Sequence, residues 1–272
     1  MKKSQVIKVS IAALASLACC ATASAQTSTL RFNGWLPPFH PINKLTIIPW
    51  SKAVETATEG RVKIVFTPKS VVPPPRQIDA VASGAVDLAY NVHGFTPGRF
   101  KASRIASLPF LASRAEHLSV ALWRTHQKYL AKSNEYKGVK VLTLWAGAPG
   151  VMLSHSKPVV SIEDWKGLKV FCGVKNVCDL ASSMGATPVQ RPGPQVTEMI
   201  ERKIVDAAFI DPASYKNFRL ERFVKQAMVA PNGFYAPTFY LVVNPKAWEA
   251  LSAKDRSAIE KLRVWLATQG VV

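Results

Sequence analysis

The residues able to do covalent or metal chemistry are few and dispersed. Five histidines, His40, His93, His117, His126 and His155, are spread along the chain. Only His117 and His126 share a predicted helix, where a spacing of nine residues puts them on opposite sides. Zinc needs three or four ligands converging on one point, so no metal site is expected. Ser154-His155-Ser156-Lys157 spells S-x-x-K, the nucleophile motif of penicillin-binding enzymes, but the companion S-D-N and K-T-G motifs are missing and a strand end is the wrong setting. The strings of a P-loop, of an H-E-x-x-H zinc hydrolase and of a G-x-S-x-G nucleophile elbow are missing too. A thiol nucleophile needs a basic partner, and no histidine lies near Cys172 or Cys178 in sequence. No catalytic residue, metal ligand or tightly bound cofactor is therefore assigned. An exported enzyme stays as a rival that would need a convergent nucleophile and base.

The chain carries 35 Lys+Arg against 17 Asp+Glu, a net charge of +18, and its 48% hydrophobic content is enough to build a core. Such a charge first points to nucleic acid, and the N-terminus argues against it. Lys2, Lys3 and Lys8 precede an almost wholly small or apolar stretch over residues 9–23, and Ala23-Ser24-Ala25 is an A-x-A cleavage site. The cut is expected after Ala25. The apolar run from Val9 is short of the roughly 20 residues that span a bilayer. A lipoprotein signal at Cys19 or Cys20 is disfavoured, because Ser16 and Cys19 sit where a lipobox wants a large aliphatic and a small residue. An exported protein meets no genome, so the charge reads first as a solvated basic surface, ahead of attraction to anionic membranes or solutes. Only Cys172 and Cys178 remain after cleavage. Six residues apart in an oxidising compartment, they fit either a small disulfide loop or two free thiols.

The elements that must position any site alternate between helix and strand. Helical spacing from Pro41 ends at Gly60, and Arg61 to Phe66 alternates like a half-buried strand. After Pro73-Pro74-Pro75 come a short helix at Gln77 to Ser83 and a strand at Val86 to Tyr90. Residues 114–133 read as the longest amphipathic helix, followed by strands at Val139 to Trp145 and Val151 to Ser154. The second half repeats the rhythm with strands at 168–171, 206–210, 225–230 and 238–243 and helices at 176–184, 195–202, 245–251 and 253–268. The class is α/β, with mainly parallel sheets flanked by helices.

Several stretches in order resemble the substrate-binding proteins of tripartite ATP-independent periplasmic (TRAP) transporters: "LRFNGWLPPFHPINK", "SGAVDLAYNVHGFTPGRF" with "LPFL" after it, "SIEDWKGLKV", "MGATPVQ", "KIVDAAF" and "FYLVVNPKAWEALSAKDRSAIEK". The resemblance runs from about Leu30 to Lys261. It implies a two-lobed, monomeric periplasmic receptor that closes on a small organic solute, by family norm an organic acid, and hands it to the transporter's membrane subunits. Lobe one is expected at residues 26–146 plus 231–272 and lobe two at 147–230, with binding groups on loops at strand ends. The family's "GLK" strand normally ends in an arginine that pairs with the ligand carboxylate, and here Phe171 holds that place. A phenyl ring cannot donate two charge-assisted hydrogen bonds, which leaves the carboxylate clamp without its arginine. Ile210 stands where an asparagine often precedes proline, and Asp211 comes before Pro212. Arg191 is either a replacement cation or, preferably, one more exposed charge. The chain stops at Val272 where the family usually continues with bracing helices, so the C-terminal helices read as truncated. A non-transporting or defunct paralogue is the alternative that this raises.

Seven residues are taken as ligand-binding candidates. Trp35 follows the first strand and fits a cleft wall or a packed core equally. His40, in the same loop, is left out in favour of a solvated or helix-capping role. Tyr90 and His93 come at the end of a strand in a glycine- and aromatic-rich loop. Trp145 ends the strand leading between lobes, as cleft wall or hinge packing. Phe171 takes its candidacy from the arginine position. Phe209 and Asp211 sit on the last strand of lobe two, where Asp211 also fits a helix cap ahead of Pro212. Together they would make a pocket more aromatic and less cationic than the family norm.

Overall fold

Strands that all end on one side, interrupted once in each sheet by a strand arriving from elsewhere, give this molecule its layout. The computed structural model describes residues 27–96, 98–111 and 113–269, and the expected signal peptide lies outside them. In the first sheet β1 (Ser28–Asn33), β2 (Val62–Phe66), β3 (Leu88–Val92), β4 (Lys140–Ala146) and β10 (Thr238–Val243) take the order β2-β1-β3-β10-β4. In the second, β5 (Val151–Ser154), β6 (Lys169–Cys172), β7 (Thr187–Gln190), β8 (Ala207–Ile210) and β9 (Gln226–Met228) take the order β7-β6-β8-β5-β9.

β1 runs parallel to β2 and β3, and β6 parallel to β7 and β8. β10 is antiparallel to both its neighbours, and so is β5. Four strands of each sheet therefore share a direction and one opposes them, which amends the expected parallel sheets by one reversed strand apiece. The reason is connectivity. β5 is the first strand after the chain leaves the first sheet and β10 the first after it returns, so each starts at the edge where the others finish.

The helices are α1 (Ile48–Ala57), α2 (Gln77–Ala82), α3 (Ala115–Thr125), α4 (Lys175–Ser183), α5 (Val196–Glu201), α6 (Pro212–Asn217), α7 (Pro245–Glu249) and α8 (Ala253–Gln269). α1 buries Trp50 and Val54, one turn apart, and closes at Gly60, whose φ of +77° lets its N–H reach the Glu55 carbonyl at 2.8 Å. α3 continues as a π-helical turn to Leu130, and α8, at 17 residues, is the longer helix. β7 was missed by sequence reasoning because Pro188 reads as a strand breaker. As an edge strand, β7 can carry a residue that donates nothing to the ladder.

β10 is buried along its whole length, and its period of two divides its side chains between two cores. Tyr240 and Val242 join Ile78, Val81, Leu118 and Leu122 on one face. Phe239, Leu241 and Val243 join Phe32, Trp50 and Val54 on the other. That second cluster continues into the other lobe through Phe234, which lies 5.6 Å from Trp165 and 5.5 Å from Phe209, ring to ring. The outer face of the second sheet packs Val196, Ile200 and Leu220 around Phe171.

Cys172, the last residue of β6, is disulfide-bonded to Cys178 in α4, with Cα atoms 5.4 Å apart. The bond clasps the turn at Gly173 and Val174. Closing so short a loop restricts the unfolded chain by about 2 kcal/mol. A Cys172→Ala/Cys178→Ala double variant is expected to lose about that much in urea-unfolding free energy, and an unchanged midpoint would show that the bond contributes no stability.

Candidate functional site

The common direction of the strands brings their C-terminal ends together, the place where open α/β sheets carry ligand sites. A cavity of about 100 Å³ lies there, with walls from both sheets. That is room for a small organic molecule. Trp35, Leu36 and His40 come from the loop after β1, Val92 from the end of β3 and Phe95 from the turn after it. Phe171, Gly173 and Val174 come from β6 and the turn after it. Phe209 and Ile210 come from β8, Asp211 from the N-cap of α6, and Ser214 and Phe218 from α6 and its C-cap. The segments crossing between the sheets close the floor with Gly147, Tyr235 and Pro237, and Phe239 begins the reversed strand beside them.

Carbon dominates this lining. Among the described residues around the cavity there is neither lysine nor arginine, and its ionisable groups are His40, Asp211 and Tyr235. The net charge of +18 is thus spent elsewhere. Arg191 is exposed and donates to the Gln190 carbonyl at 2.8 Å, in keeping with an outward-facing charge. Burial pushes the Tyr235 phenol well above its ordinary range, so it enters the wall as a neutral ring.

Of the seven sequence candidates, Trp35, Phe171, Phe209 and Asp211 line the cavity. Asp211 also caps α6, its Oδ1 accepting the Ser214 N–H at 3.0 Å ahead of Pro212 at the first helical position. Tyr90, His93 and Trp145 stand behind the walls. Tyr90 is fully buried, its hydroxyl donates to Asn43 Oδ1 at 2.9 Å, and its ring backs Trp35 at 6.3 Å. Trp145 is sealed from solvent and stacks at 5.1 Å on Phe239, which it holds against the cavity. Tyr90 lies on β3, a central strand buried on both faces, and Trp145, on the edge strand β4, is covered by Phe239 of the neighbouring β10.

His93 is sealed as well. One ring nitrogen meets Thr238 Oγ1 at 3.0 Å and the other the Tyr136 hydroxyl at 2.5 Å. Burial lowers its pKa to about 3, which makes it a neutral structural imidazole. The same sequence logic passed over His40, which is 2% exposed and so not solvated. The capping half of that expectation survives, since its Nδ1 accepts the Ile42 N–H at 3.3 Å. Val174, Tyr235 and Phe239 were also missed. Their only sequence signal is proximity to a strand end or to the crossing between lobes.

The lobes are closed on each other. Gly94, after β3, faces Val174, and a Cβ added there would lie 2.5 Å from Val174 Cγ1. Asn176 Nδ2 donates to the Ser107 carbonyl at 2.9 Å, and the His40 and Phe218 rings meet across the cleft at 6.3 Å. Gly94→Ala therefore places a clash between the lobes in this closed arrangement. Overpacking of this kind costs about 1–3 kcal/mol, so ligand affinity measured by calorimetry should fall about tenfold while the melting temperature of the ligand-free protein stays put. Unchanged affinity would show that closure does not need this contact.

His93 makes a second prediction. Its ordinary pKa is about 6.5, so as pH falls below that value the unfolded chain binds a proton that the folded one refuses until about pH 3. Stability present above pH 6.5 is lost across that window, by about 2 kcal/mol between pH 7 and pH 5. His93→Gln should flatten the unfolding free energy over this interval by that amount. His40 and His126, also lowered by burial, leave a residual slope of the same sign.

Comparison with known proteins bears on the same geometry. The family of bacterial extracellular solute-binding proteins, family 7, matches residues 32–264. A Comamonas testosteroni protein named outer membrane transporter protein TsaT is 37% identical over 250 residues, 91% of this chain and 73% of that one. The crystal structure of a TRAP periplasmic solute-binding protein from Bordetella bronchiseptica, with bound (R)-mandelate and (S)-mandelate, superposes with a TM-score of 0.86 at 35% identity, covering 89% of this chain and 77% of that one. A TRAP solute-binding protein from Rhodoferax ferrireducens in complex with copurified benzoate superposes with a TM-score of 0.83 at 25% identity, covering 90% and 79%.

Proposed function

The chain belongs to family 7 of the bacterial extracellular solute-binding proteins, and from that premise we propose that it is the periplasmic receptor of a TRAP transporter for a small aromatic monocarboxylic acid. The observation that carries the choice of ligand is the wall itself. Phe171 takes the place at which the family resemblance leads one to expect an arginine, and Phe209, Phe239, Phe95 and Trp35 surround the same cavity. Aromatic rings in such a cavity favour a flat apolar ligand over a dicarboxylate. A second carboxylate would have to be buried without a cation, at a cost of several kcal/mol. Relatives crystallised with mandelate and benzoate support the same ligand class.

In this reading the lobes are residues 26–146 with 231–272, and 147–230. The leader up to Ala25 is removed on export, and the mature chain acts as a monomer. It binds and releases its solute unchanged, without catalysis or cofactor. Trp35, Phe171 and Phe209 pack against the ligand ring, while Tyr90, His93 and Trp145 act through the residues they support. Among the described residues no helix is long and apolar enough to cross a membrane. As the family reading implies, the solute passes to the transporter's membrane subunits.

A thermal-shift screen tests the ligand class. Benzoate, mandelate and hydroxybenzoates at millimolar concentration are expected to raise the melting temperature by several degrees, and succinate, malate and pyruvate to leave it unchanged. Stabilisation by the dicarboxylates alone would overturn the proposal.

A further inference from the structure

Among the described residues the cavity offers an anionic ligand no permanent cation, and His40 is the one ionisable nitrogen in that lining. His40 is buried, as its 2% exposure shows. Because Nδ1 accepts the Ile42 N–H at 3.3 Å, the neutral ring carries its proton on Nε2. Nε2 makes no hydrogen bond among the described residues, yet it is not one of their sealed, partnerless atoms. It is a free donor on a ring that lines the cavity. Burial holds the imidazole neutral, while Asp211, facing it from the other lobe, pulls the other way. The remaining ionisable neighbour in the described lining is the neutral Tyr235 phenol, and Lys44, whose N–H donates to the His40 carbonyl, has an exposed side chain.

Resting on the reading of an aromatic carboxylate ligand, we propose that His40 is the ligand's carboxylate receptor and that binding takes up a proton onto its imidazole. A carboxylate arriving beside Asp211 adds a second negative charge to a cation-free cavity. Protonating His40 from solvent at Nδ1, which gives up the long 3.3 Å contact from the Ile42 N–H, turns that repulsion into a charge-assisted hydrogen bond from Nε2–H and balances the charge brought in. The device does by proton uptake what a fixed guanidinium does by permanent charge. It also makes capture pH-dependent: below the pKa of the bound imidazole affinity is high, and it falls as pH rises. A simple carboxylic acid itself ionises near pH 4, well below the window concerned.

Isothermal titration calorimetry with benzoate, at pH 6, 7 and 8 and in two buffers of different ionisation enthalpy, tests this. Affinity should weaken about tenfold or more between pH 6 and pH 8, and the buffer dependence at pH 7 should report uptake of a fraction of a proton up to one per benzoate. His40→Gln should remove both the slope and the proton uptake, and benzamide, which carries no charge, should bind the wild type with no such slope. Benzoate binding that is flat in pH and takes up no proton overturns the role of His40 and leaves the aromatic-acid reading standing. A slope shared by benzamide also overturns it and points to a His40–Asp211 latch, and a slope that persists in His40→Gln overturns it and points to another group. Absence of binding by benzoate, mandelate and hydroxybenzoates at every pH overturns both. Should His40→Gln fail to fold, the wild-type buffer dependence alone decides.

Discussion

Everything at the site depends on a pair of backbone segments that cross between the two sheets. Gly147 N–H reaches the Pro237 carbonyl at 2.8 Å, Gly150 N–H the Tyr235 carbonyl at 2.7 Å, and Phe234 N–H the Gly150 carbonyl at 3.0 Å. These bonds run the outgoing and returning chains side by side, and close approach is possible because the outgoing one has glycines. A Cβ at Gly150 would lie 2.0 Å from Tyr235 Cε1, and one at Gly147 2.8 Å from Pro237 Cγ. A paired hinge of this kind holds the two sheets in register and still permits rotation. It also dictates the reversed strand in each sheet, and with it the convergence of strand ends on one cavity.

Aromatic packing makes the hinge more than a tether. Phe234 and Tyr235 lean on Trp165 and Phe209 in one lobe, while Phe239, at the start of the returning strand, stacks on Trp145 in the other. Rings that line the cavity are thus braced by rings that do not touch it. Such bracing removes rotamer freedom before a ligand arrives, which is how a largely apolar pocket gains affinity from few polar contacts. The disulfide beside Phe171 does the same for the turn at Gly173 and Val174.

The electrostatic character follows from the same placement. A strongly basic chain has built a cavity whose described lining holds no lysine or arginine, because long cationic side chains lose less free energy at the solvated surface than in a dry cleft between aromatic rings. His40 and Asp211 are the exceptions. A histidine tolerates such a place because it can stay neutral there. The aspartate tolerates it because its carboxylate accepts a backbone N–H at the start of α6.

Periodicity in the sequence was enough to determine the α/β class, the positions of most elements within a few residues, and the ends of α1 and α4 at Gly60 and Gly185, because hydrophobic spacing and left-handed glycines are local properties. Spelling in order determined the family, and through it the division into two lobes. Candidate residues could be placed at strand ends, but not on one side of a ring or the other. Trp35, Phe171, Phe209 and Asp211 reach the cavity, while Tyr90, His93 and Trp145, drawn from equally plausible positions, turn into the core. His40 reads in sequence as a loop histidine, and in the fold it is buried with the Phe218 ring of the other lobe 6.3 Å away. Which face a side chain takes is decided by sheet order and crossing geometry, and those are long-range contacts that no local pattern encodes.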